Sequence, residues 1–167
     1  MSFAGRLLVS TPLIMDPNFI HTVVYLYAHD TNEGAAGVVV NRPTDEPTVE
    51  HLPDWRGRLA APPSVFWGGP VAGDSGVVVL VEGDEIRLAD DVAPPSGSIR
   101  ARLFVGQAGW GPGQLEAEIE EGAWLVTDGQ PADVLPSFPD RLWSDLLRRQ
   151  GGTAAMWATH PIDPRVN

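Results

Sequence analysis

Asn41, Gln114 and Glu116 are the polar side chains in this sequence best placed to meet a ligand. Asn41 closes the apolar run Ala36–Val40, where the chain must leave a strand before Arg42-Pro43. Gln114 and Glu116 fall in the first turn of a helix predicted over residues 113–121. An amide and a carboxylate at such ends can either bind a ligand or satisfy free backbone groups. A glutamate near a helix start is also favoured by the helix dipole. Both readings stay open for all three residues.

Other chemistry is weaker. Glu116 and Glu120, one helical turn apart, could offer two carboxylates to a metal, but solvated helix acids have the same spacing. The histidines at 21, 29, 51 and 160 show no ligand spacing, and the chain has no cysteine, so no metal site and no thiol chemistry are expected. His29 ends a strand and could join a distant acid. Ser75 in Gly73-Asp74-Ser75-Gly76 and Ser96 in Pro95-Ser96-Gly97-Ser98 lack the Gly-x-Ser-x-Gly pattern that presents a nucleophile. The string Gly106-Gln107-Ala108-Gly109-Trp110-Gly111 lacks the lysine of a phosphate loop and the spacing of a dinucleotide fingerprint. It reads as a glycine-rich connector, with an anion site at the following helix start as the alternative. No catalytic residue and no cofactor are assigned.

The elements that must position these residues follow from periodicity and turn chemistry. Leu7–Ser10, Thr22–Tyr27 and Ala36–Val40 read as strands, the last two antiparallel to each other. The unbroken apolar character of 36–40 calls for cover on both faces. Residues 42–47 read as a loop, and Thr48–Leu52 as a short helix capped by Thr48. Val65–Trp67, Val77–Val81 and Ile86–Leu88 are further strands, with a hairpin turn at Glu82-Gly83-Asp84. Gly68-Gly69-Pro70 must turn sharply, which predicts a positive φ or a space too tight for a Cβ. After a surface loop over 90–98, Arg100–Val105 enters the core as a strand.

The helix over 113–121 sets Leu115 and Ile119 on one face and stops at Gly122. Trp124–Val126 returns as a strand. Ser137 with Asp140 suggests a capping box for a last helix that buries Leu142, Leu146 and Leu147. Its arginines Arg148 and Arg149 oppose the dipole, and Gly151-Gly152 ends it. The tail with His160-Pro161 reads as irregular. The six tryptophans are expected to fill the core.

Composition narrows function further. Hydrophobic residues at 43% and charged residues at 20% belong to a globular chain, and 167 residues suit one domain spanning 1–167. The net charge is −11, and every base is an arginine scattered along the chain. Duplex binding draws its affinity from clustered cations that displace counterions, so no nucleic-acid partner is expected. No apolar run approaches a membrane span or a signal-peptide core, which makes a cytoplasmic location the expectation, without a membrane partner.

Three ordered segments resemble the AlgH/YqgE family of bacterial proteins. The first runs from Gly5-Arg6-Leu7-Leu8-Val9-Ser10-Thr11-Pro12 through Asp16-Pro17-Asn18-Phe19, Thr22–Leu26 and His29 to Gly37–Pro43. The second is Val65-Phe66-Trp67-Gly68-Gly69-Pro70-Val71, and the third Gly106–Ile119 with Gly122-Ala123-Trp124-Leu125. The chain departs from the common pattern at Leu80, where many members carry histidine, and at Gln107, where an aromatic is common. The resemblance implies an α+β fold in which helices pack on a strongly curved, partly barrel-like, mainly antiparallel sheet. It brings no reaction with it. The leading expectation is a binding or regulatory module for an unidentified protein or small molecule; the alternatives are an enzyme using Asn41, Gln114 or Glu116, and a direct DNA-binding repressor.

Overall fold

The computed structural model describes residues 2–159; the tail from His160 onward lies outside the described residues. Nine strands form one sheet: β1 (Arg6–Ser10), β2 (Val23–Asp30), β3 (Gly34–Val39), β4 (Pro43–Pro47), β5 (Ser64–Trp67), β6 (Val71–Glu82), β7 (Glu85–Leu88), β8 (Arg100–Trp110) and β9 (Trp124–Asp128). The main path is β4-β5-β8-β3-β2-β1-β9, with β6 on β8 and β7 on β6. Among the paired strands of the described residues only β5–β8 is parallel. The path ends at β4 and β9, so the sheet does not close into a barrel. Four helices accompany it: α1 (Gln114–Glu120), α2 (Pro131–Val134), α3 (Pro139–Gln150) and α4 (Gly152–Trp157).

β1, β2 and β3 are covered on both faces, and their period-two alternation divides them between two cores. Leu7, Val9, Val23, Tyr25, Val38 and Val40 face one cluster, which α3 completes with Leu142, Trp143, Leu146 and Leu147. Leu8, Val24, Leu26 and Val39 face the other, with Ala108, Trp110, Leu115 and Trp124. The apolar, β-branched run is therefore required on both sides. The Trp143 indole donates to the Ser10 carbonyl at 2.8 Å and pins α3 to the end of β1.

Several local expectations change. Residues 43–47 form an edge strand, not a loop; all five are exposed, so no apolar alternation marks it. The turn at 48–50 is a 3-10 helix without a side-chain cap. Residues 106–110 are not a connector, because β8 runs unbroken to Trp110. Ser137 does not cap α3. Pro139 occupies its first turn, which makes Phe138 the capping residue. The capping box sits instead on α2, between Gln130 and Asp133. Arg149 does more than oppose the dipole, since it grips the buried Asp133 carboxylate through two hydrogen bonds of 3.0 and 2.6 Å.

The long β8 organises the sheet. Residues 100–107 pair with β6, Phe104 and Val105 pair with β5, and 108–110 pair with β3. At the change of partner the chain crosses itself backbone to backbone. Gly106 has φ +80° and Gly69 has φ +148°. A Cβ on Gly68 would strike the Gly106 carbonyl, and one on Gly69 would strike the backbone of Gln107. The glycine pair thus meets the predicted condition of space too tight for a side chain.

Candidate functional site

The loop between β1 and β2 is folded down onto the corner where α1 meets β9. The Thr11 hydroxyl donates to the Gly122 carbonyl at 2.7 Å, and the Thr11 N–H donates to the Ala123 carbonyl at 3.0 Å. Asp16 starts a tight turn, accepting from Asn18 N at 2.9 Å through its carboxylate. That turn sets the Phe19 ring against Trp110 and Trp124, with centroids 6.3 and 5.8 Å away. The two indoles meet nearly edge to face at 6.0 Å and 77°. Aromatic rings favour such geometry because the positive edge of one meets the negative face of another.

Glu118 ties this cluster together. One of its carboxylate oxygens accepts both indole N–H groups, from Trp110 and from Trp124, each at 3.0 Å. The other accepts the Gln114 amide at 2.9 Å. Gln114 in turn accepts the Gly111 N–H at 3.0 Å. Gln114, Glu118 and the two indoles line a pocket of about 270 Å³ together with Ile14, Met15, Asp16, Phe19, Gly109 and Ala123. Small-ligand sites have this make-up, mostly apolar walls with a few fixed polar groups.

The three residues singled out by sequence are spread over different surroundings. Gln114 lines the aromatic pocket. Asn41 lines another, of about 280 Å³, with His21, Arg42, Asp140 and Trp143. Its side chain is engaged by backbone at both ends: the carbonyl oxygen accepts from Val23 N at 3.0 Å, and the amide donates to the His21 carbonyl at 2.9 Å. It thereby holds β2 to the end of β3, where His21 has φ +54° and stacks on Trp143 at 3.7 Å. Asn41→Ala is expected to cost about 1–3 kcal/mol through these unpaired groups, read as a lower denaturant midpoint with unchanged slope.

Glu116 points elsewhere and meets His29 at 3.2 Å. His29 accepts the Phe3 N–H at 2.9 Å through Nδ1, which leaves its proton on Nε2 to donate to Glu116. Its side chain is 1% exposed. Both ring nitrogens are occupied, so the imidazole cannot take a metal without giving up a structural bond. The Glu116 carboxyl is held below the usual glutamate range, first by a backbone N–H and, after an opposing effect of burial, by His29. The pair fastens the N-terminal segment to α1. Across the sheet, the half-buried Tyr27 hydroxyl donates to Gln107. Among the described residues no group of three or more His, Cys, Asp or Glu is placed to hold a metal ion.

Sequence reasoning missed Glu118, Phe19, Trp110, Trp124 and Asp16 as one site. The Gln114–Glu118 spacing was the one local signal, since side chains one helical turn apart meet. The rest depends on the pairing of β1 with β9 and of β3 with β8, which brings Phe19, Trp110 and Trp124 together from three parts of the chain.

An open mixed sheet with helices on both faces and an aromatic pocket at one corner defines an α+β protein. The chain belongs to the AlgH-like family (DUF179), whose family model matches residues 7–155. It is 47% identical to a UPF0301 protein of Streptomyces coelicolor, covering 99% of this chain and 96% of that one. A UPF0301 protein of Mycobacterium avium is 36% identical over 96% of this chain and 89% of its own length. The crystal structure of a Corynebacterium diphtheriae protein superposes with a TM-score of 0.80 at 27% identity, covering 93% of this chain and 91% of that one. The solution structure of AlgH from Pseudomonas aeruginosa gives 0.68 at 28%, covering 96% and 95%. No helix of the described residues is long and apolar enough to cross a membrane.

Proposed function

We propose that the protein is a small-ligand-binding module, and that the pocket over Glu118 is its ligand site. One observation carries this reading. Three aromatic rings, the exposed Gln114 and the half-buried Glu118 converge on a concave space with a hydrogen-bond network already fixed in place. A preorganised site of this kind loses little conformational entropy on binding. Met15, 72% exposed at the rim, supplies an adaptable apolar wall. Asn41, both ring nitrogens of His29 and one Glu116 oxygen are engaged in holding the fold, which weighs against the enzyme alternative at Asn41 and Glu116.

Direct DNA contact has no support in the surface chemistry. Arg6, Arg87, Arg148 and Arg149 are ion-paired with acids, Arg42 donates to two carbonyls, and Arg102 is buried. With a net charge of −11, few cations remain to face phosphates.

The test is a titration of ¹⁵N-labelled protein with a panel of small fragments, read at the indole N–H signals of Trp110 and Trp124, with native mass spectrometry of freshly purified protein for a retained ligand. The reading expects several fragments to shift both indoles while a random-sequence duplex leaves the spectrum unchanged. A panel that moves other signals and never these two would place the site elsewhere.

A further inference from the structure

The chemistry of the pocket wall narrows the ligand. Its side-chain polar groups are Asp16, Gln114 and Glu118, and no basic side chain lines it. One Glu118 oxygen already accepts two indole protons and the other accepts the Gln114 amide. The Gln114 oxygen accepts from Gly111. A carboxylate oxygen offers two lone pairs, so Glu118 retains one open acceptor position and a full negative charge.

That charge has no cation of its own. Among the described residues Glu118 has no ion-pair partner within 4.0 Å, although Arg6, Arg87, Arg148 and Arg149 all find one. Arg42 feels the Asp16 carboxylate. Its N–H groups nevertheless go to the carbonyls of Asn18 and Ile20 at 3.0 and 2.8 Å, and it lines the neighbouring pocket. Hydrogen bonds from neutral indoles and an amide stabilise the carboxylate without neutralising it. Phe19, Trp110 and Trp124 line the same space, and the negative faces of such rings attract a cation, most strongly where water is excluded. The net charge of −11 adds a long-range field of the same sign. An anionic ligand would meet two carboxylates in a wall that carries no basic side chain.

We propose that this pocket takes a small organic cation, an alkylammonium group whose methyl or methylene carbons lie against the aromatic rings and whose charge lies beside Glu118 and Asp16. The inference rests on the binding reading above and names the class of ligand for that site.

Choline and 3,3-dimethylbutan-1-ol have nearly the same shape and differ in charge, so the pair separates the two claims. Each is titrated into ¹⁵N-labelled full-length protein, with the indole signals of Trp110 and Trp124 assigned through Trp→Phe variants. Choline is expected to shift both indoles and to bind at least ~10-fold more tightly than the neutral alcohol. Glu118→Gln, which keeps an acceptor for the indoles, and Asp16→Asn, which keeps the cap on Asn18, should each bring the affinity for choline down toward that for the alcohol. Equal binding of the two compounds, or tighter binding of the alcohol, overturns the cation class while leaving the pocket as the ligand site. The same holds if acetate or another anion binds there and choline does not. Silence of both indoles to choline, the alcohol and the wider fragment panel overturns the cation class and the pocket together.

Discussion

Gly69→Ala is expected to abolish soluble folded protein or to lower its melting temperature by more than about 10 °C. At φ +148° an L side chain is strained whatever space surrounds it. Here there is none: the new Cβ would fall within 3.0 Å of the Gln107 carbonyl group and the Ala108 nitrogen. Those are backbone atoms of β8, and moving them would disturb the pairing of Val71 with Gln107 and of Gly37 with Ala108. Overpacking and forbidden backbone geometry each cost roughly 1–3 kcal/mol. For a chain of this size each kcal/mol is worth about 2–4 °C. Gly73→Ala is the control, because an added Cβ there touches nothing within 4 Å. Scanning calorimetry of both variants decides the matter, and a Gly69→Ala protein melting with wild type would mean that the crossing is not tight.

Arg102→Ala is expected to cost about 3 kcal/mol or more, a fall in melting temperature of roughly 6–12 °C. Arg102 is 1% exposed and has no carboxylate partner among the described residues. Its guanidinium donates to the carbonyls of Pro136 at 3.0 Å and Ala61 at 2.9 Å, and lies over the Phe66 ring at 4.0 Å. Burial, with a smaller effect from Arg100, pushes its pKa down to about 10. The charge therefore carries a desolvation cost that the substitution would relieve. Against that gain stand a cavity beside Phe66 and a buried Pro136 carbonyl left without its donor, which outweigh it. Chemical denaturation of the variant reads the net effect directly. An unchanged midpoint would show that water replaces the guanidinium without loss.

How much of this was legible depends on where the causes lie. β2 and β3 were readable because Val23–Leu26 and Val38–Val40 must satisfy burial on two faces, and a two-sided strand writes its apolar run into the sequence. β4 was not, since Thr44, Asp45 and Glu46 sit on an exposed edge, flanked by prolines that also punctuate loops. The end of β8 was hidden by its glycines. They read as a tight connector, whereas they continue β8, and the geometry Gly106 must adopt comes from the crossing with Gly69, a contact between segments far apart in sequence. The spacing of Ser137 and Asp140 suited a capping box, but Pro139 at the first helical position fixed the start of α3 elsewhere. Gly151 does end α3, as its sequence suggests, but a further short helix, α4, follows it at once.

The candidate site divides in the same way. Gln114 was legible as a polar group at a helix start. Asn41 was legible at the end of its strand, and the bond it accepts from Val23 is the structural role that position suggests. Glu118 was lost among the acids of α1, because its partners Trp110 and Trp124 come from β8 and β9. Convergence of that kind is a property of strand pairing, and no local pattern announces it.

The measurement that bears most directly on the pocket is ligand binding by Gly109→Val. Gly109 lines the pocket, an added Cβ there meets nothing within 4 Å, and its backbone is one that any residue adopts. Valine suits a strand, so the side chain should occupy the cavity without disturbing β8. The variant should melt within about 2 °C of wild type. In the fragment titration its Trp110 and Trp124 indole signals should no longer respond to compounds that shift them in the wild-type protein. A folded Gly109→Val protein that binds the same compounds with unchanged affinity would contradict the assignment of this pocket as the ligand site.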